Sequence, residues 1–498
     1  MRVAIVGAGP RGLFAVERLW AHAAPGTCLD VVLFDPRDPG VGAAYDPTQP
    51  EYLRLNVNSA VVSAAWPGED TIPSFNAWRL STGEREPLEP FPPRALVGRY
   101  LGWFWGWLNQ QTPSGSLLAH RSLNVAELAA SGAGWVVDGE IFDEVLLATG
   151  HERSWPGQLH GDGVIPAVFP VQRWLGEDDV PPGCRVAFRG AALTFIDAAL
   201  ALTEGRGGRF IGDWATGLAY ERSGREPRTL WPVGRSGRWM DPKPQPGTLL
   251  AEADPEILRV GRAAVLSAET PTASLGAVHT TAVALGAAPD RLASLLDPGR
   301  GDATAALRQR LSAVAGSSDP GASWALGHAW RGLYDALRYR FERTVEGFAP
   351  FARLASTLER VAFGPPPVNA AKILALIEAG LIDPTSLERA HFDGASPIGL
   401  PAAPDVIVDA VLPPPGVVPG SLVGRLVDDG VIVSPAGRRG VAVAPDANCL
   451  DRDGVPVPGL ACIGRATEDV VIGNDTLNRA LHPAVDLWAR RITQEGSQ

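Results

Sequence analysis

The chain opens on an apolar run, a glycine-rich turn and a helical pattern. Residues 3–6 are apolar throughout, and Gly7-Ala8-Gly9-Pro10-Arg11-Gly12 follows them. Apolar positions at helical spacing then cover about 13–21, and a second apolar run, 29–34, ends at Asp35. Short apolar runs bounded by turn residues indicate buried strands. The pattern predicts strand, turn, helix and strand, the opening unit of a Rossmann fold.

Strand patterns return further along the chain, at 135–137 and at 144–148, where the second run closes on Thr149-Gly150. A further strand at 185–188 leads into Gly190 and a helix that extends to about 202. Helical patterns dominate 250–390. Strands are predicted again near 431–433 and 460–463, and a last helix over 476–491. This order predicts an α/β fold of two Rossmann-like dinucleotide-binding domains with a mostly helical insert.

The predicted division of the chain follows this order of patterns. It gives a first domain over 1–165, a second Rossmann-like domain over 166–250, and a helical insert or substrate cover over 251–425. The segment 426–498 is expected to return to the first domain and to end on a helix. Proline runs at 365–367 and 413–415 indicate loops or boundaries.

Composition narrows the class of protein. The 498 residues carry a formal net charge of −11, which argues against nucleic acid as the main partner. Four scattered cysteines form no C-x-x-C pair, so neither a disulfide framework nor a metal site is expected. With no leader pattern and no apolar stretch of membrane-spanning length, a cytoplasmic protein without a membrane partner is predicted.

The first turn has the chemistry of a dinucleotide site. Gly7, Gly9 and Gly12 remove side chains where the turn must be tight, where backbone approaches a pyrophosphate, and where helix packs on strand. Pro10 and Arg11 lie within this turn, and free amides at the helix start can hold phosphates. Asp35 ends the next strand, where its carboxylate can accept hydrogen bonds from ribose hydroxyls.

A strand ending in Ala-Thr-Gly, here with Thr149 and Gly150, is typical of flavoproteins that bind two dinucleotides, and it favours FAD at the first site. The second turn is degenerate, because Ala192 and Phe195 stand where further glycines are expected beside Gly190 and Thr194. A purely structural turn therefore stays open there. The loop arginines Arg225, Arg235 and Arg238 could pair with a 2′-phosphate, which favours NADPH over NADH.

Together the motifs make a joint pattern that runs nearly end to end. It consists of the first turn, Tyr52-Leu53-Arg54-Leu55-Asn56-Val57-Asn58, Pro93-Arg94, Gly98-Arg99-Tyr100-Leu101, Ala148-Thr149-Gly150, Leu193-Thr194-Phe195-Ile196-Asp197, Gly364-Pro365-Pro366-Pro367 and Gly473-Asn474-Asp475-Thr476-Leu477. In this pattern the chain resembles the FAD–NAD(P)-binding flavoproteins that include nitrosuccinate-forming aspartate N-monooxygenase and FAD-dependent urate hydroxylase.

The resemblance implies a flavin monooxygenase cycle. NADPH reduces FAD, and O₂ forms a C4a-hydroperoxide that delivers one oxygen to a small-molecule substrate. Arg54 would contact the flavin, with Asn56 and Asn58 as catalytic residues at its N5 and O4 edge. Asn474 and Asp475 would face its pyrimidine. Turns that bond their own backbone, and an ordinary helix cap, remain alternatives for these residues.

One departure concerns the late strand, where Gly464-Arg465 stands in place of the Gly-Asp pair common in such flavoproteins. The leading function is N-hydroxylation of an amino acid or small amine. C-hydroxylation of a heterocycle such as urate is one alternative, and a non-catalytic flavin-binding partner or redox sensor is another. Arginines that could bind a substrate carboxylate are expected in one segment, as Arg331, Arg338, Arg340 and Arg343. A homo-oligomer stays open.

Overall fold

The structure is a computed structural model that describes residues 1–132, 134–246, 252–296, 301–316, 319–342, 346–474 and 477–495. The strands in these ranges are β1 (Arg2–Val6), β2 (Asp30–Phe34), β3 (Leu117–Arg121), β4 (Leu128–Ser131), β5 (Gly134–Val137), β6 (Glu140–Phe142), β7 (Glu144–Leu147), β8 (Val164–Ile165), β9 (Arg185–Arg189), β10 (Arg209–Asp213), β11 (Gly217–Glu221), β12 (Thr229–Val233), β13 (His391–Asp393), β14 (Ser396–Ile398), β15 (Val406–Asp409), β16 (Asn448–Leu450) and β17 (Pro456–Cys462). The helices are α1 (Pro10–His22), α2 (Phe75–Ser81), α3 (Arg94–Gln110), α4 (Val171–Trp174), α5 (Leu193–Ala201), α6 (Pro255–Ser267), α7 (Pro271–Ser274), α8 (Gly276–Ala284), α9 (Pro289–Leu296), α10 (Ala303–Val314), α11 (Gly321–Phe341), α12 (Phe348–Ala362), α13 (Pro367–Glu378), α14 (Thr385–Arg389), α15 (Leu422–Asp428) and α16 (Ala484–Glu495).

Two compact units account for the chain. The first contains Met1–Glu51, Ser59–Pro156 and Pro413–Gln498, and the second contains Tyr52–Asn58 and Gly157–Leu412. The first unit therefore resumes at 413, whereas the sequence places this return at 426. The helical segment and the second Rossmann-like segment form one unit, because β15 pairs with β9.

A six-stranded sheet forms the centre of the first unit, in the order β16-β17-β7-β1-β2-β3. Its strands are parallel except for β16, which runs antiparallel to β17. The strands β1, β2 and β7 are nearly continuous apolar runs because helices and loops cover both faces of a parallel sheet. As predicted, β1, the glycine turn, α1 and β2 follow one another.

The second unit contains a four-stranded parallel sheet in the order β12-β9-β15-β8. Its core joins residues of β9, α5, α10 and α13, including Phe188, Phe195 and Leu376. Helices α6 to α13 follow one another along the chain, as the helical pattern predicts. The predicted α/β class with two Rossmann-like sheets and a mostly helical insert is confirmed.

Two predicted elements in the tail differ from the structure. Residues 431–433 form no strand; this short apolar run instead follows α15, and Ile432 packs into the core of the first unit. The last helix begins at Ala484 rather than near Thr476, which lies outside the described residues. Pro483 immediately before the helix explains the late start, because proline favours helix starts over helix interiors.

A buried ion network fixes α1 to the C-terminal segment within the first unit. Arg18 pairs with Glu17 and, at 3.3 Å, with Asp486, and the Glu17 carboxylate also binds Arg479 at 2.6 Å. His22 contacts Asp486 at 2.7 Å. In the described part of the chain, no helix is long and apolar enough to cross a membrane.

Candidate dinucleotide-binding turns and a cationic cluster

The first glycine turn is closed by backbone contacts that exclude side chains. Gly7 has a φ of +113°, and a Cβ there would lie 2.2 Å from the carbonyl oxygen of Ala148. A Cβ on Gly12 would lie 2.2 Å from the carbonyl oxygen of Gly7. Gly9 caps α1 without any side-chain hydrogen bond, and Pro10 occupies the first helical turn. The turn therefore presents the bare start of a helix, which fits a pyrophosphate.

Asp35 lies beside this turn, at the carboxyl end of β2. Its Oδ2 accepts the N–H of Ala8 at 3.2 Å, and its Oδ1 accepts the N–H of Arg37 at 3.0 Å. Each oxygen keeps a lone pair for a ribose hydroxyl. Thr149 and Gly150 follow β7, the parallel neighbour of β1, so they share the same edge of the sheet. The structure brings these predicted residues together.

Arg11 and Asn474 also meet in the first unit, since an Nη atom of Arg11 donates to the carbonyl oxygen of Asn474. The buried Asn474 side chain donates to Thr467 Oγ1 at 3.3 Å and to the carbonyl oxygen of Val471. Its amide group thus braces its own loop. Asp475, predicted beside it, lies outside the described residues.

The second turn repeats the backbone of the first despite its changed sequence. Gly190 has a φ of +111°, close to the +113° of Gly7. Ala192 caps α5 with φ −94° and ψ −156°, and Gly9 caps α1 with φ −68° and ψ −172°. Both caps are extended, a conformation that alanine adopts without strain. Like α1, α5 has no side-chain cap, and Thr194 lies in its first turn.

The second departure from the glycine pattern is Phe195, at the position that corresponds to Gly12. Gly12 allows α1 to approach its strand closely, but Phe195 at the corresponding position packs edge-on against Phe188 of β9, with ring centroids 5.1 Å apart. The helix α5 therefore packs on its sheet through an aromatic pair. This change affects helix packing and leaves the turn itself intact.

The loop arginines of the second unit lie at opposite edges of its sheet. Arg225 precedes the first residue of β12, so it lies at the amino end of a strand, where it pairs with Glu177 at 2.6 Å. Arg235 and Arg238 follow the last residue of β12 and lie at the carboxyl edge, the edge that carries Gly190. The structure therefore does not bring Arg225 together with the second turn.

The predicted catalytic loop belongs to the second unit. The carbonyl oxygen of Asn56 accepts a hydrogen bond from Nζ of Lys243. Arg54 is near enough to Lys372 that its charge lowers the pKa of that lysine, although burial is the larger cause. Asn58 is half-buried in the same loop. Contact of these residues with a flavin stays a prediction.

Lys243 is a buried residue of the second unit that the sequence did not identify as a candidate site residue. Burial, followed by the charge of Arg331, lowers its pKa to about 7. Burial likewise lowers the pKa of Arg331 to about 10. Within the predicted arginine segment, Arg338 pairs with Asp335 of α11 and with Glu342 just beyond it. Arg340 binds backbone carbonyls, and Arg343 lies outside the described residues. The sequence feature that could have drawn attention to Lys243 is its position between two prolines, Pro242 and Pro244.

A comparison with known families finds a match in the first part of the chain. Residues 4–152 match the model of a family described as FAD-NAD(P)-binding. Among solved structures, the FAD-bound cadaverine monooxygenase of the desferrioxamine pathway from Erwinia amylovora matches with a TM-score of 0.51 and 11% identity, over 99% of this chain and 94% of that one. This likeness concerns the fold alone.

Particular relatives are similar over less than half of the chain. The nitrosuccinate-forming L-aspartate N-monooxygenase of Streptomyces davaonensis is 32% identical over 276 residues, which cover 45% of this chain and 42% of that protein. The nitrosuccinic acid synthase of Aspergillus oryzae is 32% identical over 257 residues, covering 45% and 39%. The chain thus spans about two fifths of the length of these relatives. The matches confirm the resemblance to the flavoprotein monooxygenase group.

Proposed function

We propose that this protein is an FAD- and NADPH-dependent monooxygenase that N-hydroxylates an amino acid or another small amine. The observation that carries the proposal is the repeated turn. Gly7 and Gly190 have the same backbone conformation, each at the carboxyl end of a parallel strand and each before an uncapped helix. Dinucleotides bind at such edges of α/β sheets. Two of these turns support a pair of dinucleotide cofactors, and the similar aspartate N-monooxygenase supports the reaction.

FAD is assigned to the first unit. A Cβ at Gly7 or Gly12 would collide with a backbone carbonyl oxygen, so these two positions must lack side chains. At both positions the turn therefore presents only backbone to a bound pyrophosphate. Amides at the start of α1 would hold the pyrophosphate, and the Asp35 carboxylate would accept the ribose hydroxyls. Bound FAD supplies the redox chemistry, taking electrons from the nicotinamide and passing them to O₂. The protein's part is to orient the cofactor and keep water from it.

NADPH is assigned to the second unit. The amides at the start of α5 would hold its pyrophosphate. Arg235 is exposed and lies two residues beyond β12, one position further along than Asp35 lies beyond β2, and Gly234 takes the position that corresponds to Asp35. The guanidinium of Arg235 would pair with the 2′-phosphate of NADPH, whereas the carboxylate of Asp35 would accept hydrogen bonds from ribose hydroxyls. The absence of an acid at Gly234, with the exposed Arg235 next to it, therefore supports NADPH at the second turn.

The test begins with the visible spectrum of the purified protein. We expect a bound flavin that NADPH bleaches under anaerobic conditions. After O₂ is admitted, NADPH consumption should accelerate with an amino acid or amine and yield a hydroxylamine product. L-Aspartate, cadaverine and urate form the first panel. Protein without flavin, or flavin that NADPH cannot reduce, contradicts the proposal, and turnover with urate alone would favour C-hydroxylation.

A further inference from the structure

The loop of residues 52–58 carries the predicted catalytic residues Asn56 and Asn58. It belongs to the second unit by its contacts, although the residues on both sides of it belong to the first. Its first half is anchored by apolar packing, because Leu53 lies in the core of the second unit and Tyr52 packs against that core. Its second half is only half-buried. Apolar burial contributes less there, so the position of the asparagines depends more on hydrogen bonds.

One such bond comes from Lys243, because its Nζ donates to the carbonyl oxygen of Asn56. The residue as a whole is partly exposed, but its Nζ end lies deep enough that burial is the main cause lowering its pKa to about 7. Near neutral pH the group is therefore divided between ammonium and neutral amine, and both forms can donate. Groups with pKa values perturbed in this way cluster at functional sites.

The backbone around Lys243 directs its side chain. The segment 241–244 has the sequence Asp-Pro-Lys-Pro, so Asp241 and Lys243 each precede a proline. A residue before proline is restricted to extended conformations, and each proline has a fixed φ. The segment is therefore extended because of its own sequence, and the direction in which the lysine side chain leaves it is determined.

The motif Gly364-Pro365-Pro366-Pro367 holds this extended segment in place. The N–H of Lys243 donates to the carbonyl oxygen of Pro365 at 2.9 Å. A Cβ on Gly364 would lie 1.9 Å from the carbonyl oxygen of Asp241, so only glycine allows this close approach. The asparagine loop and the proline motif are far apart in the sequence, and Lys243 bonds to both.

The charged groups around Lys243 leave the loop carbonyl as its partner. On its own segment, Asp241 is engaged by Arg310 and Arg360. From α11, the charge of Arg331 lowers the pKa of Lys243 further. No carboxylate in the described part of the chain forms an ion pair with Lys243. Its hydrogen bond to the loop is therefore not shared with an acid.

We infer that Lys243 is a positioning residue, which fixes the loop of residues 52–58 through the carbonyl group of Asn56 and so sets where the side chains of Asn56 and Asn58 lie. The inference rests on the proposed function, because it takes these asparagines to act at the flavin. It goes beyond that function by naming a residue outside the loop on which efficient N-hydroxylation depends. Lys243 acts through the loop backbone and touches neither substrate nor cofactor in this role.

Nuclear magnetic resonance of the full-length protein tests the contact without turnover. With ¹³C at the asparagine carbonyl groups and ¹⁵N in valine, only Asn-Val bonds give a signal, and the chain has two, at 56–57 and 124–125. The Asn56 signal should shift with a midpoint near about pH 7, because Lys243 loses its proton there. The Asn124 signal is the internal reference and should not follow this titration. In Lys243→Met the shift of the Asn56 signal should disappear.

Turnover then tests the positioning role. In Lys243→Met, kcat for N-hydroxylation should fall by about tenfold or more, because a displaced catalytic group loses its alignment. More of the NADPH consumed should yield hydrogen peroxide instead of hydroxylamine. KM for the amine, flavin content and the rate of flavin reduction by NADPH should stay unchanged. A purely structural defect would lower flavin content and flavin reduction as well.

The matched control is Arg262→Met. Arg262 also donates to a backbone carbonyl of the second unit, that of Gly332 at 3.1 Å, but its bond joins α6 to α11 and does not involve the loop. This variant should keep kcat, the yield of hydroxylamine per NADPH and the titration of the Asn56 signal. The titration in the unchanged protein needs no variant, so it decides the contact even if Lys243→Met folds poorly.

An Asn56 signal that does not titrate near about pH 7 in the unchanged protein would overturn the inference. So would a normal kcat and a normal hydroxylamine yield in Lys243→Met. Failure of the proposed function has a different signature. Protein without flavin, or flavin that NADPH cannot reduce, would contradict the monooxygenase even if the Asn56 signal titrates as expected.

Discussion

At the scale of single residues, the position of a charge relative to its sheet edge or its partners decides its role. Arg225 and Arg235 are both exposed loop arginines near β12, but they lie at opposite ends of it. Lys243 has no acidic partner in the described chain, and burial lowers its pKa to about 7. The loop arginines and Lys243 each give a prediction that depends on the position of the charge, which the net charge of the chain does not contain.

Replacing Arg235 with Ala should raise KM for NADPH by about tenfold or more, because a charge-assisted bond to the 2′-phosphate would be lost. KM for NADH, which lacks that phosphate, should stay unchanged. Steady-state flavin reduction with both nucleotides measures the effect. Arg225→Ala is the matched control and should behave as the unchanged protein. Equal losses with NADPH and NADH would exclude the assignment.

The lowered pKa of Lys243 predicts how stability changes with pH. Between about pH 7 and about pH 10 the unfolded chain keeps a proton on this lysine that the folded chain has lost. The free energy of unfolding should therefore rise with pH, by up to about 1.4 kcal/mol per unit from this group. Urea denaturation at several pH values should show this rise, and Lys243→Met should lack it. If the free energy of unfolding changed with pH in the same way in both proteins, Lys243 would not be the cause of the rise.

At the scale of elements, the glycine turns are defined by backbone contacts. Gly12 permits the approach of α1 to β1, whereas Phe195 supports α5 by ring packing. The second turn has the same shape with two fewer glycines, because the extended backbone at Ala192 does not require glycine. A turn can therefore have this backbone conformation without matching the full glycine pattern.

Gly12→Ala should destabilise the first unit by about 2 kcal/mol or more and release flavin, because the new Cβ meets a carbonyl oxygen at 2.2 Å. Gly102→Ala in α3 is the control. No atom lies within 4 Å of a Cβ there, so that change should be neutral or stabilise by about 1 kcal/mol. Thermal melting and flavin content measure both variants. Normal flavin content in Gly12→Ala would contradict the close approach.

At the scale of the whole molecule, each unit is assembled from separate stretches of the chain. The C-terminal stretch supplies β16, β17 and α16 to the first unit. The buried ion network between α1 and α16 joins the ends of the sequence. Burial alone would raise the pKa of Asp486, but hydrogen bonds from His22 and Arg490 lower it below its usual value.

The depressed pKa of Asp486 predicts acid sensitivity. The stability that this carboxylate contributes is present above its unfolded pKa near 4, and it is lost as pH falls through the lower folded value. Asp486→Asn should therefore be less stable by about 1–3 kcal/mol at neutral pH, with the difference shrinking in acid. Urea denaturation at about pH 7 and about pH 3 measures this. Asp335→Asn, at an exposed carboxylate, is the control. A constant difference would show that charge is not the cause.

The sequence by itself determined the local features of the fold. The turn at Gly7 to Gly12, the strands around it and the position of Asp35 follow from short-range rules, because positive φ angles and apolar periodicity are properties of neighbouring residues. The resemblance to the flavoprotein group and the α/β class came from the same local motifs. The late start of α16 was also available from Pro483, although the helical pattern obscured it.

The tertiary structure alone decided which distant residues lie near one another and which charges are buried. Lys243 and Arg331 come from a loop and from α11, and both are buried with backbone carbonyls, rather than acids, as their partners among the described residues. That property depends on every element packed around them. Likewise, the edge on which Arg225 or Arg235 lies depends on where β12 begins and ends. Burial, charge pairing and strand direction arise from packing, so they cannot be read from spacing alone.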